Sequence, residues 1–342
     1  MVNQWFSISD ERFLTFLSGL NNSLAKSEVP YMFAGGIAHQ VHMARYLCSI
    51  HGATLEELAK SGEIHLPNHI KATDNVDIAL GLIADKNYSA AVKALEEKNE
   101  EAARKYKNAI KMLKPNQRIE AEKREAMRKE EIKNEINKLK LDRDYQTDKR
   151  IRETLDEYKV KALDSLTQKE IITIKQTREG HSRRVYTLGV FEEQNDEQPL
   201  TIKLYHKIED VAKNGHLKEL SEELYPKFLF EAQNIVIHYA PGLDISLKVM
   251  RPEDLVTTKI SLWSKPTNGS PDAPNRHVND ALDILNYSKK SGNPVNYEII
   301  EENLCKKRTI VSRANSKEEE ITLDNPILRE HYALLRQLAD TL

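Results

Sequence analysis

Apolar positions along this chain change spacing several times, and each change marks a different kind of element. Val29, Met32, Phe33 and Ala34 form a short apolar run that ends in Gly35-Gly36. A helical pattern follows from Ile37 to about Ile50, and Asn75–Ile83 (NVDIALGLI) predicts a second strand. After Gly81 the next glycine is Gly180, and Pro115 is the only proline between them. Loops and sheets rarely run that far without turn residues, whereas helices do. Apolar positions in this interval recur at helical spacing (Ala91, Leu95, then Ile132, Ile136, Leu139), which predicts at least two long helices broken near Pro115. Beyond them, Glu170–Lys175, Val185–Phe191 and Leu200–His206 are β-branched or aromatic segments. Gln194–Gln198 (QNDEQ) reads as the hairpin turn between the last two. Asn234–Tyr239 and Ile245–Met250 add two strands. From Pro252 the pattern is helical again, over Glu253–Trp263, Val278–Ser288, Tyr297–Cys305 and Ile327–Leu342.

This order predicts an α+β core with a small mixed β-sheet, interrupted by a long helical hairpin and followed by C-terminal helices. The boundaries fall at 1–86 and 170–265 for the core, 87–169 for the insertion and 266–342 for the C-terminal helical region. Residues 91–150 hold 18 Lys/Arg and 13 Asp/Glu, a net charge of +5. Charges of both signs describe a solvated hairpin rather than a nucleic-acid arm. Its apolar stripe is narrow, so the insertion and the C-terminal helices are expected to pack together as one bundle.

Composition narrows the class. The chain has 342 residues and a formal net charge of −2, which argues against one strongly basic surface. Two cysteines, Cys48 and Cys305, make no disulfide framework and suit a reducing compartment. No apolar run approaches the roughly 18 residues of a membrane span. The N-terminus lacks a basic stretch followed by an apolar one. A cytoplasmic protein with no membrane partner is the expectation.

Candidate chemistry gathers at Gly35, Gly36, Thr73, Asp74, Asn75 and Asp77. A strand that ends in Gly-Gly and opens onto a helix lets a phosphate approach backbone N–H groups, and the helix N-terminus adds a favourable field. Acidic residues two apart on a strand share a face and can hold Mg²⁺ together with substrate phosphates. Arg183 and Arg184 offer forked guanidinium donors to phosphate. His39 and His42 share a helix face, but no third ligand at zinc-site spacing follows them. No nucleophile motif such as Gly-x-Ser-x-Gly is present.

FAGGIAHQVHM followed by KATDNVDIAL resembles the opening of nucleotidyltransferase-superfamily proteins of the abortive-infection AbiEii/AbiGii toxin type. There a strand–Gly-Gly/Ser–helix precedes a Thr-x-Asp-apolar-Asp strand. VMRPEDLVTTKISLW resembles the family's Pro-Glu-Asp-Leu…Lys segment, with Lys259 in the lysine position. NRHVNDALDIL resembles its terminal helix through Arg276, Asp280 and Asp283. The resemblance implies a nucleotidyltransferase that moves a nucleotidyl group from an NTP, GTP being favoured, to an RNA, protein or small-molecule acceptor. It also implies a toxin–antitoxin setting, with an antitoxin as partner. Gly35 and Gly36 would hold the triphosphate, with Thr73, Asn75, Arg183 and Arg184 near the nucleotide. Asp77 with Asp74 or Asn75 would hold Mg²⁺, and Lys259 would neutralise developing charge.

The chain also departs from that pattern. Asn75 stands at the first carboxylate position, and Lys203 stands where a later strand would carry a third carboxylate. Asp74 faces away from Asp77 in a regular strand, unless a bulge re-aims it. Two-metal phosphoryl transfer would lose most of its negative ligands. A catalytically degenerate member that binds nucleotide or a partner is therefore the second expectation. Asp280 and Asp283, three apart on one helix face, are expected to anchor that helix to the core or to a basic residue.

Overall fold

The structure is a computed structural model. It describes the chain except residues 1–5, 74, 83–85, 166–172, 180–182, 190–199, 206–226, 264–272, 306–307, 315–316, 324–325 and 342. The described helices are α1 (Glu11–Lys26), α2 (Gly35–His51), α3 (Leu55–Ser61), α4 (Leu66–His69), α5 (Lys86–Ala109), α6 (Pro115–Ser165), α7 (Pro252–Trp263), α8 (Ala273–Lys290), α9 (Tyr297–Cys305) and α10 (Pro326–Thr341). Strands β1 (Tyr31–Phe33), β2 (Asn75–Leu80), β3 (Thr173–Glu179), β4 (Arg183–Gly189), β5 (Leu200–Tyr205), β6 (Gln233–Ala240) and β7 (Leu243–Val249) form one mixed sheet in the order β3-β4-β5-β2-β1-β7-β6. β5 runs parallel to β2 and β1 parallel to β7, while the remaining neighbours are antiparallel. The architecture is mixed α/β and mostly helical.

Local chemistry sets the ends of the helices that build the core. Asp10 caps α1 by accepting from the Arg12 N–H, and Phe13, Leu14, Leu17, Leu20 and Leu24 bury one face. α2 is buried on nearly every side, at Ile37, Ala38, Val41, Met43, Ala44 and Leu47 among others. It ends at Gly52 in the left-handed region, φ 60°. Thr54 and Glu57 then make a reciprocal capping box for α3. The sheet buries Met32 and Phe33 of β1, Val76, Ile78 and Leu80 of β2, and Leu247 and Val249 of β7. β6 alternates, with Ile235, Ile237 and Tyr239 buried and Asn234, Val236 and His238 exposed, as a strand with one wet face must.

The long glycine-free interval forms the expected hairpin. α5 closes in a 3₁₀ turn over Ile110–Met112, and Pro115 opens α6 at the first helical position, where its missing N–H costs nothing. At 51 residues α6 extends roughly 75 Å. The Arg143 guanidinium lies 3.9 Å from the Tyr88 ring centroid and ties α6 to α5. Nearer its C-terminus, α6 buries Ile151 and Leu155 against α1, and Arg150 reaches the Ser27 carbonyl and Glu28.

Two expectations need correction. The insertion does not share a bundle with the C-terminal helices. α6 packs on α1, whereas α8 packs on α7 and α2, and α10 packs on α9 and α8. Tyr332, Leu335 and Ala339 of α10 are buried there, while its Leu334 and Leu338 are exposed rather than covered by α6. The C-terminal region is also not wholly helical, because Arg308–Ala314 and Lys317–Leu323 pair as a separate antiparallel hairpin, β8 and β9. Three successive glutamates, Glu318–Glu320, mask the alternation that would mark its second strand.

Ile151→Ala should lower the unfolding free energy by about 2–4 kcal/mol, since it empties a fully buried site between α6 and α1. Leu141→Ala, where the side chain is 68% exposed on the same helix, should change it by under about 0.5 kcal/mol. Urea titration of both variants separates a docked segment from a projecting one.

Candidate functional site

β1 delivers the chain to Ala34, and α2 begins at Gly35 with φ +57°. The Ala34 N–H donates to the Asp77 carbonyl (2.8 Å), which pins the start of the helix to β2. No room is left for side chains at this junction. A Cβ on Gly35 would stand 2.4 Å from Asp77 Oδ2 and 3.2 Å from its Cγ. One on Gly36 would stand 2.8 Å from Thr73 Oγ1. Only glycine meets both the positive φ and the contact. The Ala34 cap offers no side-chain acceptor, so the first N–H groups of α2 are not capped by its own chain at that position. Thr73 is fixed from the other side. Its backbone pairs with Phe6, and its hydroxyl donates to the Asn75 carbonyl (3.0 Å).

One turn further along α2, and two residues before Thr73, a buried charge network begins. Lys259 Nζ lies 2.6 Å from Asp280 Oδ2. Lys71 Nζ lies 3.2 Å from Asp280 Oδ1 and 2.7 Å from Asp283 Oδ2. Burial opposes ionisation of Asp280, but Lys259, His39 and Lys71 outweigh it and hold the carboxyl well below the usual carboxylate range. His39 is 2% exposed, and its Nε2 has no hydrogen-bond partner among the described residues. Burial pushes His39 down to about 3, so the ring is neutral at pH 7. Asp254, at the start of α7, is fully buried and gripped by the Arg251 guanidinium at 2.9 and 3.0 Å, with Asn303 as a third contact. That grip fixes the helix carrying Lys259.

Gly35, Gly36, Thr73 and Asp77 therefore meet at one junction, and Lys71 and His39 join it to Lys259, Asp280 and Asp283. Asp280 and Asp283 anchor α8 to basic residues, as their spacing suggests. Lys259 is 7% exposed and engaged with Asp280 rather than open to solvent. Asn75 and Asp77 are half-buried on β2, and Asp74 lies outside the described residues. Lys203 pairs in register beside Asp77 on β5. Arg183 and Arg184 open β4, two strand spacings from β2, or roughly 10 Å, and their side chains lie outside the described residues. His39 and Lys71 were not legible as site residues, because Lys71 meets Asp280 across 209 positions of chain with no local motif.

Two carboxylate clusters bear on metal binding. One ligand atom each from His39, Asp280 and Asp283 lies within 4.8 Å of the others. Two ammonium groups already neutralise those carboxylates, so a cation would have to displace Lys71 and Lys259. At the glycine turn the donors suit a single Mg²⁺ bridged by substrate phosphates. Asp77 Oδ2 faces the cradle that a Gly35 Cβ would fill, and Asn75 is two residues away on the same face. A two-metal site does not fit, since Lys203 is the residue in register with Asp77. Compared with family models, with curated proteins and with solved structures, the chain matches none. No described helix is long and apolar enough to cross a membrane.

Gly35→Ala should lower stability by about 1–3 kcal/mol, through left-handed strain plus the Asp77 contact. Gly52→Ala has the same sign of φ with nothing within 4 Å, and should cost only the strain, about 1 kcal/mol. Chemical denaturation of the pair measures the contact by difference.

A pH effect follows from the two buried histidines. His39 and His42 titrate at about 3 and about 4 in the fold, both depressed first by burial. The unfolded chain takes up their protons near pH 6.5, so the native state holds fewer protons below that. Each then subtracts up to about 1.4 kcal/mol per pH unit as pH falls from about 6.5 toward its folded value. His39→Gln should shallow the slope of unfolding free energy against pH between about pH 6 and 5 by close to one proton. An unchanged slope would mean that His39 is not held neutral.

Proposed function

We propose that this chain is a nucleotidyltransferase-type protein that binds a nucleoside triphosphate, GTP first by resemblance, where α2 leaves β1. The observation that carries the reading is the close approach of Gly35-Gly36 to the Thr73 and Asp77 side chains, which sets the start of α2 beside a strand carboxylate. The Gly35 and Gly36 amides and the α2 N-terminus receive phosphate oxygens. Asp77, with Asn75 beside it, holds the Mg²⁺ that would neutralise and orient the triphosphate when bound. Asp280 holds Lys259 in position on α7, Lys71 braces Asp280 from the β2 side, and neutral His39 adds no competing charge. Transfer would pass a nucleotidyl group to a hydroxyl of an RNA, protein or small-molecule acceptor. The strand order supports the same reading, since β1 and β2 are antiparallel neighbours and β5 lies parallel beyond β2.

The second reading, a nucleotide-binding member without catalysis, is favoured by Lys203 in register with Asp77. Isothermal titration with GTP, ATP, CTP and UTP, with and without Mg²⁺, tests both. On the first reading Mg²⁺ tightens binding at least tenfold, and Asp77→Ala removes that gain. Incubation with α-labelled GTP then transfers label to total RNA or protein. Binding indifferent to Mg²⁺ in the parent protein selects the second reading. Failure to bind any of the four nucleotides overturns both.

A further inference from the structure

β6 is the outermost strand of the sheet, and its free edge opens into a groove of about 1050 Å³. The groove is walled by Arg45 and Cys48 of α2, by Thr54 at the entry to α3, and by Asn234, Val236 and His238 of β6. Hydrogen bonds on the far side of the ribbon show which backbone groups face outward. On β7, the Ser246 carbonyl accepts from Asn21 Nδ2 and the Lys248 N–H donates to Asn21 Oδ1. The Met250 N–H just beyond donates to the Phe33 carbonyl. The even-numbered residues of β7 thus turn toward β1. Their register partners Asn234, Val236 and His238 are the non-hydrogen-bonded positions of β6 and turn their N–H and C=O groups into the groove. At one end of that edge the Cys48 thiol donates to the His238 carbonyl at 4.0 Å.

We propose that this edge binds an extended, acidic segment of a partner protein by strand addition. An unprotected edge is a template for another strand, and natural proteins usually blunt it with lysine, proline or a covering element. Neither lysine nor proline lies along Asn234–His238, where Val236 is 43% exposed, and α2 meets the edge at its His238 end through Cys48. Backbone ladder bonds would supply affinity, and alternate side chains would supply specificity. Arg45 selects for acid. It is half-buried in the groove wall and has no ion-pair partner among the described residues, whereas Glu57 is spent on the Thr54 capping box.

Selection of a phage-displayed library of linear eight-residue peptides on the full chain tests this. Enriched sequences should alternate β-branched with polar residues and carry Asp or Glu. Val236→Pro removes one outward N–H and no β7 bond, a substitution edge strands accept, so the variant should keep the parent's unfolding midpoint. Anisotropy titration of an enriched peptide should weaken at least tenfold on that variant. Asn234→Pro, which deletes the next outward N–H, serves if Val236→Pro unfolds. Arg45→Glu should turn selection toward Lys-bearing peptides, which a merely structural arginine would not do. No enrichment over an unrelated protein overturns the proposal, as does binding indifferent to both proline variants. A concentration-dependent dimer that either proline variant abolishes would assign the edge to a second copy, and overturn it equally.

Discussion

The structure turns on a close approach at the start of α2, where the Asp77 and Thr73 side chains fill the space that a Cβ on Gly35 or Gly36 would need. Once that approach is fixed, much else is forced. α2 must run across the sheet as a buried rod, so its sides are apolar almost all round. Thr73 and Asp77 must line the helix start, and the segment before them must pass beside the first turn of α2. Lys71 and His39 arrive at the same place for that reason. An added methyl group would push back the strand that every later contact uses as its reference.

The charge network is the second tier. Lys71, Lys259, Asp280 and Asp283 balance in sign, and burial makes that balance strict, because an unpaired member would keep the desolvation cost without the attraction. The network joins the entry to β2 with α7 and α8, three segments far apart in sequence. It therefore works as a clamp on the site's geometry, whatever ligand the glycine turn receives. The Arg251–Asp254–Asn303 cluster repeats the device one turn earlier on α7 and carries the clamp to α9.

Much of the fold was legible because it is written locally. Gly35-Gly36 after an apolar run, the glycine desert before Gly180, Pro115 and the period-two alternation of Asn234–Tyr239 each specify one element by themselves. What escaped was set by pairing across distance. The docking of α6 on α1 depends on Ile151 and Leu155 finding an apolar face that no spacing rule announces, and the β8–β9 hairpin hides behind a run of glutamates. The site divides in the same way. Gly35, Gly36, Thr73 and Asp77 stand in a short ordered pattern, whereas Lys71 and His39 have meaning only beside Asp280. Arg183 and Arg184 belong to no such pattern, since a basic pair at a strand entry carries no information about how many strands separate it from the turn.

The residue in register with Asp77 decides how far the chemistry can reach. A third carboxylate there would let the sheet hold two metal ions, and so share the charge of both attacking and leaving oxygens. Lysine at position 203 reverses that charge while leaving the glycine cradle intact. Phosphate recognition by backbone N–H groups survives such a change, because it draws on the helix start rather than on the strand carboxylates. Transition-state stabilisation by two metal ions does not survive it equally, since the carboxylate that would hold the second ion is absent from the position in register with Asp77. On the function proposed above, binding and turnover would be separable, the first resting on Gly35 and Gly36 and the second on whether Asp77 can hold a cation with lysine at position 203 in register beside it.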